Sequence, residues 1–249
     1  MSDPPSAPAA GALNAPLQAA AARIVETLRA AERDVEVQLH ALATRESAEY
    51  VSRHMLTARP IRQRKHPEAG RFDLLEYALD LVTIEGLYAE FGVFKGDTLV
   101  FIADRIDTVV YGFDSFRGLP EDWFLNYGRG YFDLGGRAPE LTCTQRNTRL
   151  VPGPFAEALP IFIREIEGPM AFVHIDCGLY SAARTALFGL AGRIVPGTVI
   201  LFGSYLNYPG WREHEFRAFQ VFAQAHGVRY RYAAFAPAMF SAAVVIEAV

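Results

Sequence analysis

From about Leu87 to Ile246 the chain alternates short, strongly apolar runs with longer segments whose apolar residues recur at helical spacing. This alternation constrains the fold more than any other feature, because repeated strand-helix-strand units build a parallel sheet with helices on its faces. The apolar runs are Leu87–Phe91, Thr108–Phe113, Arg149–Pro152, Ala171–Asp176, Thr198–Phe202, Tyr230–Phe235 and Ala242–Ile246. They predict an α/β domain with a doubly wound, mostly parallel, seven-stranded sheet, Rossmann-like in plan. The last two runs are separated by a short loop containing Ala236-Pro237-Ala238 with no helix between them. They predict a hairpin, and with it one antiparallel strand.

Ahead of this region the pattern differs. Met1 to Pro16 mixes Pro, Ala, Gly and Ser without periodicity, the composition of a flexible tail. From Leu17 to Leu42, Ile24, Leu28, Val35 and Leu39 fall at helical spacing among charges, which predicts an amphipathic helix. A second short helix is expected over Glu46–Leu56, a solvated loop or cover over the basic segment Arg59–Lys65, and a further helix over Arg71–Val82. The expected organisation is a tail over 1–16, a helical extension over 17–70 serving as a cap or dimer contact, and a ligand-binding domain over 71–249. The apolar stripe of the first helix needs a partner, either the body of the same chain or the equivalent helix of a homodimer.

Composition closes off several classes of function. A net charge of −4, with 21% charged residues, gives no basic footprint for nucleic acid. No apolar run is long enough to span a membrane. Cys143 and Cys177 are too few for a disulfide framework and lack zinc-site spacing, so they read as ordinary thiols in a reducing cytoplasm.

In open parallel sheets, ligands bind beyond the carboxyl ends of the strands, where strand order reverses. The first run ends in Glu90-Phe91-Gly92-Val93-Phe94-Lys95-Gly96, where glycines let the turn approach a ligand. The second ends at Asp114-Ser115, with Asp114 placed 114 − 92 = 22 residues after Gly92, the position of an acid that accepts ribose hydroxyls. A dinucleotide fold wants G-x-G-x-x-G, but Phe94 stands at its middle glycine and Glu90 precedes the loop, so pyrophosphate is disfavoured. An adenosine-bearing cofactor without phosphate, S-adenosylmethionine, fits these residues. Glu90, Phe91, Gly92, Val93, Lys95, Gly96, Asp114, Ser115 and Asp176 are its expected contacts.

Five segments carry a family resemblance: Glu49-Tyr50-Val51 with His54-Met55; Leu87–Gly96; Tyr111–Pro120; His174-Ile175-Asp176-Cys177; and Asn207–Trp211. Together they resemble the macrocin O-methyltransferase family, sugar O-methyltransferases of antibiotic biosynthesis, over about Glu46 to Val245. The resemblance implies a class I methyltransferase fold, S-adenosylmethionine as methyl donor, a glycosylated natural product as acceptor, and usually a magnesium ion. It also implies a metal-binding Asp at Asp176, a base two residues later, and two acidic ligands after the next strand.

Here the base position is Gly178 and the acidic pair is Gly203-Ser204. Magnesium needs several hard oxygen ligands, and Asp176 with a serine offers too few, so magnesium is not expected and no metal ligand is assigned. Asp176 and His214 are the remaining candidates for a catalytic base, with a surface helix residue as the plainer reading of His214. His174 reads as a hydrogen-bonded core residue, while Tyr180, Tyr208 and Trp211 are expected to line the acceptor pocket. The expected activity is methylation of a small natural product. Non-methyl chemistry on the same cofactor, and a silent partner subunit, are the alternatives.

Overall fold

The computed structural model describes residues 14–62, 69–142 and 146–249. Most of the expected tail, and Gln63–Lys65 of the basic segment, lie outside them. In chain order the helices and strands are α1 (Asn14–His54), β1 (Arg59–Pro60), α2 (Ala69–Asp80), β2 (Leu87–Phe91), α3 (Asp97–Ala103), β3 (Val110–Asp114), β4 (Thr148–Pro152), α4 (Phe155–Glu165), β5 (Met170–Ile175), α5 (Tyr180–Gly189), β6 (Ile194–Phe202), α6 (Glu215–His226), β7 (Arg229–Ala236) and β8 (Ser241–Ala248).

One sheet of eight strands runs β1-β7-β8-β6-β5-β2-β3-β4. β8 pairs antiparallel with both β6 and β7, and the other pairings are parallel. The expected hairpin therefore exists, turned by a short 3-10 segment at Pro237–Met239. Each of the seven expected strands has its counterpart. The eighth, β1, falls in the segment expected to be a loop. Arg59 and Pro60 pair with Ala234 and Phe235 at the sheet edge, where a proline's missing donor is tolerated.

β5 shows why the sheet is central: all six of its residues are buried. Alternation divides the core. Val173 and Ile175 join Phe91, Phe113 and Phe202 against α4, α5 and α6. Phe172 joins Val199 and Leu201 against α2 and α3.

Two compact units divide the chain at Leu42/Ala43. In the first, α1 carries exposed Ile24, Leu28, Val35 and Leu42. The second, Ala43–Val249, begins inside α1 and not near Arg71. Within it Ala43 is buried in the core, and Ser47 Oγ accepts from the Asn207 N–H at 2.8 Å. The break expected before Glu46 does not occur. Ala43-Thr44-Arg45 contains neither glycine nor proline to end a helix.

Candidate functional site

The chain builds outward from β2 through β3 to β4 on one side, and from β5 to β6 on the other. Strand order therefore reverses between the neighbours β2 and β5. At their carboxyl ends opens a cavity of about 560 Å³. Gly92 holds φ at +95°, and a Cβ there would overlap the Asp176 carbonyl, so only glycine lets the turn after β2 pass so close to the end of β5.

Asp114 fastens this turn to β3. Its Oδ2 accepts from the Val93 N–H at 2.8 Å and the Phe94 N–H at 2.9 Å, and its Oδ1 accepts from the Phe116 N–H at 2.7 Å. A carboxylate offers about four lone-pair positions. One therefore remains for a ligand hydroxyl, where the sequence suggested two ribose hydroxyls. Gly92, Val93, Lys95, Gly96, Asp114, Ser115 and Asp176 all line the cavity.

Glu90 and Phe91 do not. Both are fully buried, because their side chains point into the sheet's two faces behind the turn. Phe91 stacks on Phe113 with ring centroids 4.6 Å apart. Glu90 Oε2 lies 2.8 Å from His174 Nδ1, and its Oε1 has no hydrogen-bond partner among the described residues. Burial pushes the Glu90 carboxyl above its usual value, with the His174 hydrogen bond opposing. His174 is thus a bonded core residue, and Glu90 supports the turn from beneath.

Asp176 is bound by the guanidinium of Arg71, from the start of α2, which also lines the cavity. Sequence reasoning did not single out Arg71. It lies 105 residues away, and only the tertiary fold brings it to Asp176. Gly203 makes room for the pair, since a Cβ there would overlap the Asp176 carboxylate. At Gly178, where the motif resemblance would place a base, a Cβ would stand 2.9–3.0 Å from the Trp123 indole. The ring covers the ground where a base would project.

A second missed residue is Glu215, at the start of α6. It is fully buried, and its Oε1 accepts from the Cys177 and Gly178 N–H groups at 3.1 and 2.8 Å, its Oε2 from the Ser204 N–H at 2.9 Å. One carboxylate thus ties together the loops after β5 and β6. Burial, with the nearby Asp176 charge, pushes its carboxyl up to about 8 despite those three donors. Cys177 lines the cavity as a neutral thiol, raised well above its usual value by burial and then by Glu215.

The expected acceptor-contacting residues are placed elsewhere. Tyr208 and Trp211 are fully buried and do not line the cavity. Trp211 packs edge-on against Tyr50 and Phe216, the large aromatic burial that core sites favour. Tyr180 also lies outside the lining, with Arg217 over its ring at 4.9 Å. His214 is absent from the lining too. Its Nδ1 is 3.2 Å from the Tyr208 hydroxyl, and burial lowers its imidazole below the usual value against Glu213 and Glu121. The walls belong instead to Trp123, Phe124, Tyr127 and Phe132, from the segment between β3 and β4, with Phe94 and Phe155. That segment has no regular period, so its direction could not be read from the sequence.

A reversed parallel sheet with a glycine turn after its inner strand, an acid closing the next strand and a cavity at the crevice has the architecture of class I methyltransferases. Residues 89–205 match the Methyltransf_24 family, described as a methyltransferase domain. Among solved structures, the calicheamicin methyltransferase CalS11 is 22% identical over 73% of this chain and 80% of its own, with a TM-score of 0.58. The O-methyltransferase NovP is 17% identical over 72% and 80%, with a TM-score of 0.57. The apo form of CalS11, described as a TDP-rhamnose 3'-O-methyltransferase of calicheamicin biosynthesis, is 20% identical over 73% and 81%, with a TM-score of 0.52. At these identities the likeness is one of fold. No curated protein matches the chain. Among the described residues, no helix is long and apolar enough to cross a membrane.

Proposed function

We propose that the protein is an S-adenosylmethionine-dependent methyltransferase that methylates an oxygen of a small natural product without the help of a divalent cation. The observation that carries this reading is the convergence of the Gly92–Gly96 turn and Asp114 on one cavity at the β2/β5 crevice. The residues present fit the cofactor. The turn comes close enough for backbone contact, Asp114 keeps an acceptor position, and Lys95 and Ser115 flank it. Bound there, S-adenosylmethionine would supply an electrophilic methyl group on a positively charged sulfur. The natural-product setting rests on the motif resemblance and agrees with the biosynthetic role named for the calicheamicin relative.

The same residues do not fit magnesium. The one acidic side chain left at its place, Asp176, is paired with Arg71, and Gly203 supplies no ligand. Among the described residues no cluster of three His, Cys, Asp or Glu stands ready for a metal. The partners in this reading are the acceptor and a second copy of the chain, met along the apolar stripe of α1.

Calorimetric titration with S-adenosylmethionine and S-adenosylhomocysteine tests the reading, and binding in the presence of EDTA is the expected result. Absence of binding would overturn it. The covered base position also favours a second reading, in which the cofactor undergoes a different bond cleavage. Release of methylthioadenosine in place of S-adenosylhomocysteine would select that one.

A further inference from the structure

We infer that the acceptor is a phenol on a flat aromatic ring, and that Arg71 is the fixed cation that holds its oxygen for methylation. This deepens the methyltransferase reading and rests on it. An oxygen nucleophile must shed its proton before or during attack, and an aliphatic hydroxyl needs a placed base or a metal to do so. Among the described residues the carboxylates that cluster about Asp176 are committed, while Asp97, which also lines the cavity, is exposed at the start of α3. Asp176 is held by Arg71, Asp114 and Glu215 each accept three backbone N–H groups, and Glu90 is buried against His174. The site where the motif resemblance would place a base is filled by the Trp123 indole.

A phenol ionises near pH 10 unaided, and a neighbouring cation brings that value down. Arg71 is such a cation, and because it shares its charge with Asp176 the lowering is partial. It lines the cavity with 40% of its side chain exposed, and a guanidinium's planar donors suit an oxyanion. Phe94, Trp123, Phe124, Tyr127 and Phe132 form the wall, with Phe94 and Phe132 edge-on at 5.2 Å and Phe124 and Tyr127 tilted at 5.1 Å. Aromatic walls accept flat rings and sugar faces alike. The lack of an uncommitted carboxylate beside Asp176 is what decides between them. In the step itself the phenol's proton has already gone to solvent. The phenolate oxygen gives the electron pair of the new O–CH3 bond, and the pair of the broken C–S bond stays on sulfur as the neutral thioether.

The test uses the full chain with S-adenosylmethionine and EDTA, and offers it naphthol, methylumbelliferone, para-nitrophenol and methyl rhamnoside. Methyl ether is read by mass spectrometry and S-adenosylhomocysteine binding by calorimetry. The phenols are expected to be methylated and the rhamnoside left untouched. Arg71→Met should slow naphthol by about 100-fold or more, the scale of a lost oxyanion donor. The loss should shrink for the more acidic para-nitrophenol and be partly restored by Arg71→Lys, with binding of S-adenosylhomocysteine unchanged. If that product binds but no phenol is methylated, or the rhamnoside alone is, the inference falls and the methyltransferase reading stands. An equal loss on all phenols would remove Arg71 from the role assigned to it. Failure of S-adenosylhomocysteine to bind would bring down both.

Discussion

At Gly178 the backbone sits at φ +73° with the Trp123 ring against it, so a side chain there meets strain and overlap at once. Introducing an acid by Gly178→Asp is therefore expected to lower stability by about 1–3 kcal/mol, read in a chemical melt, without creating metal-stimulated turnover. Adding Trp123→Ala should return part of the loss, and a strictly additive double mutant would refute the contact. Glu215 offers a pH signature. Its carboxyl is raised to about 8 in the folded protein, so the folded state holds a proton that the unfolded chain has released above its ordinary value near 4.5. Its contribution to stability is fully present below about pH 4.5 and fades as pH climbs towards about 8. Glu215→Gln should flatten the melting-temperature slope across that window. It should also cost about 1–3 kcal/mol, because an amide cannot accept from all three N–H groups.

Among the elements, the turn after β2 depends on Asp114 for two of its backbone N–H groups. Asp114→Ala is expected to weaken S-adenosylhomocysteine binding by about 10-fold or more, since buried polar groups are left unpaired and a ligand acceptor is lost. Unchanged affinity in calorimetry would show the cavity is not held this way. The turn was legible beforehand because a glycine at a strand end and an acid at the next strand end are local signals set by backbone geometry. The central strands were legible because burial on both faces forces continuous apolar runs, as in β5. Arg71 and Glu215 were not. Each acts across long stretches of chain, and an arginine opening a helix or a glutamate opening another looks like a surface residue until the loops it meets are in place. Tyr208 and Trp211 misled for the same reason. An aromatic residue after a strand end can face the ligand or the core, and packing against Tyr50 and Phe216 turned Trp211 inward.

For the whole molecule, assembly is the open quantity. The exposed Ile24, Leu28, Val35 and Leu39 on α1 are the surface proposed to meet a second copy. The intact chain is expected to run as a dimer in light scattering, and a chain starting at Ala43 as a monomer that still binds S-adenosylhomocysteine. A monomeric intact chain would remove the proposal. Finally, only two tryptophans are present. Trp211 is sealed in the core, while Trp123 stands in the cavity wall over Gly178. The molecule therefore carries its own optical gauge: whatever settles against that wall alters the surroundings of one emitter and leaves the other as an internal standard.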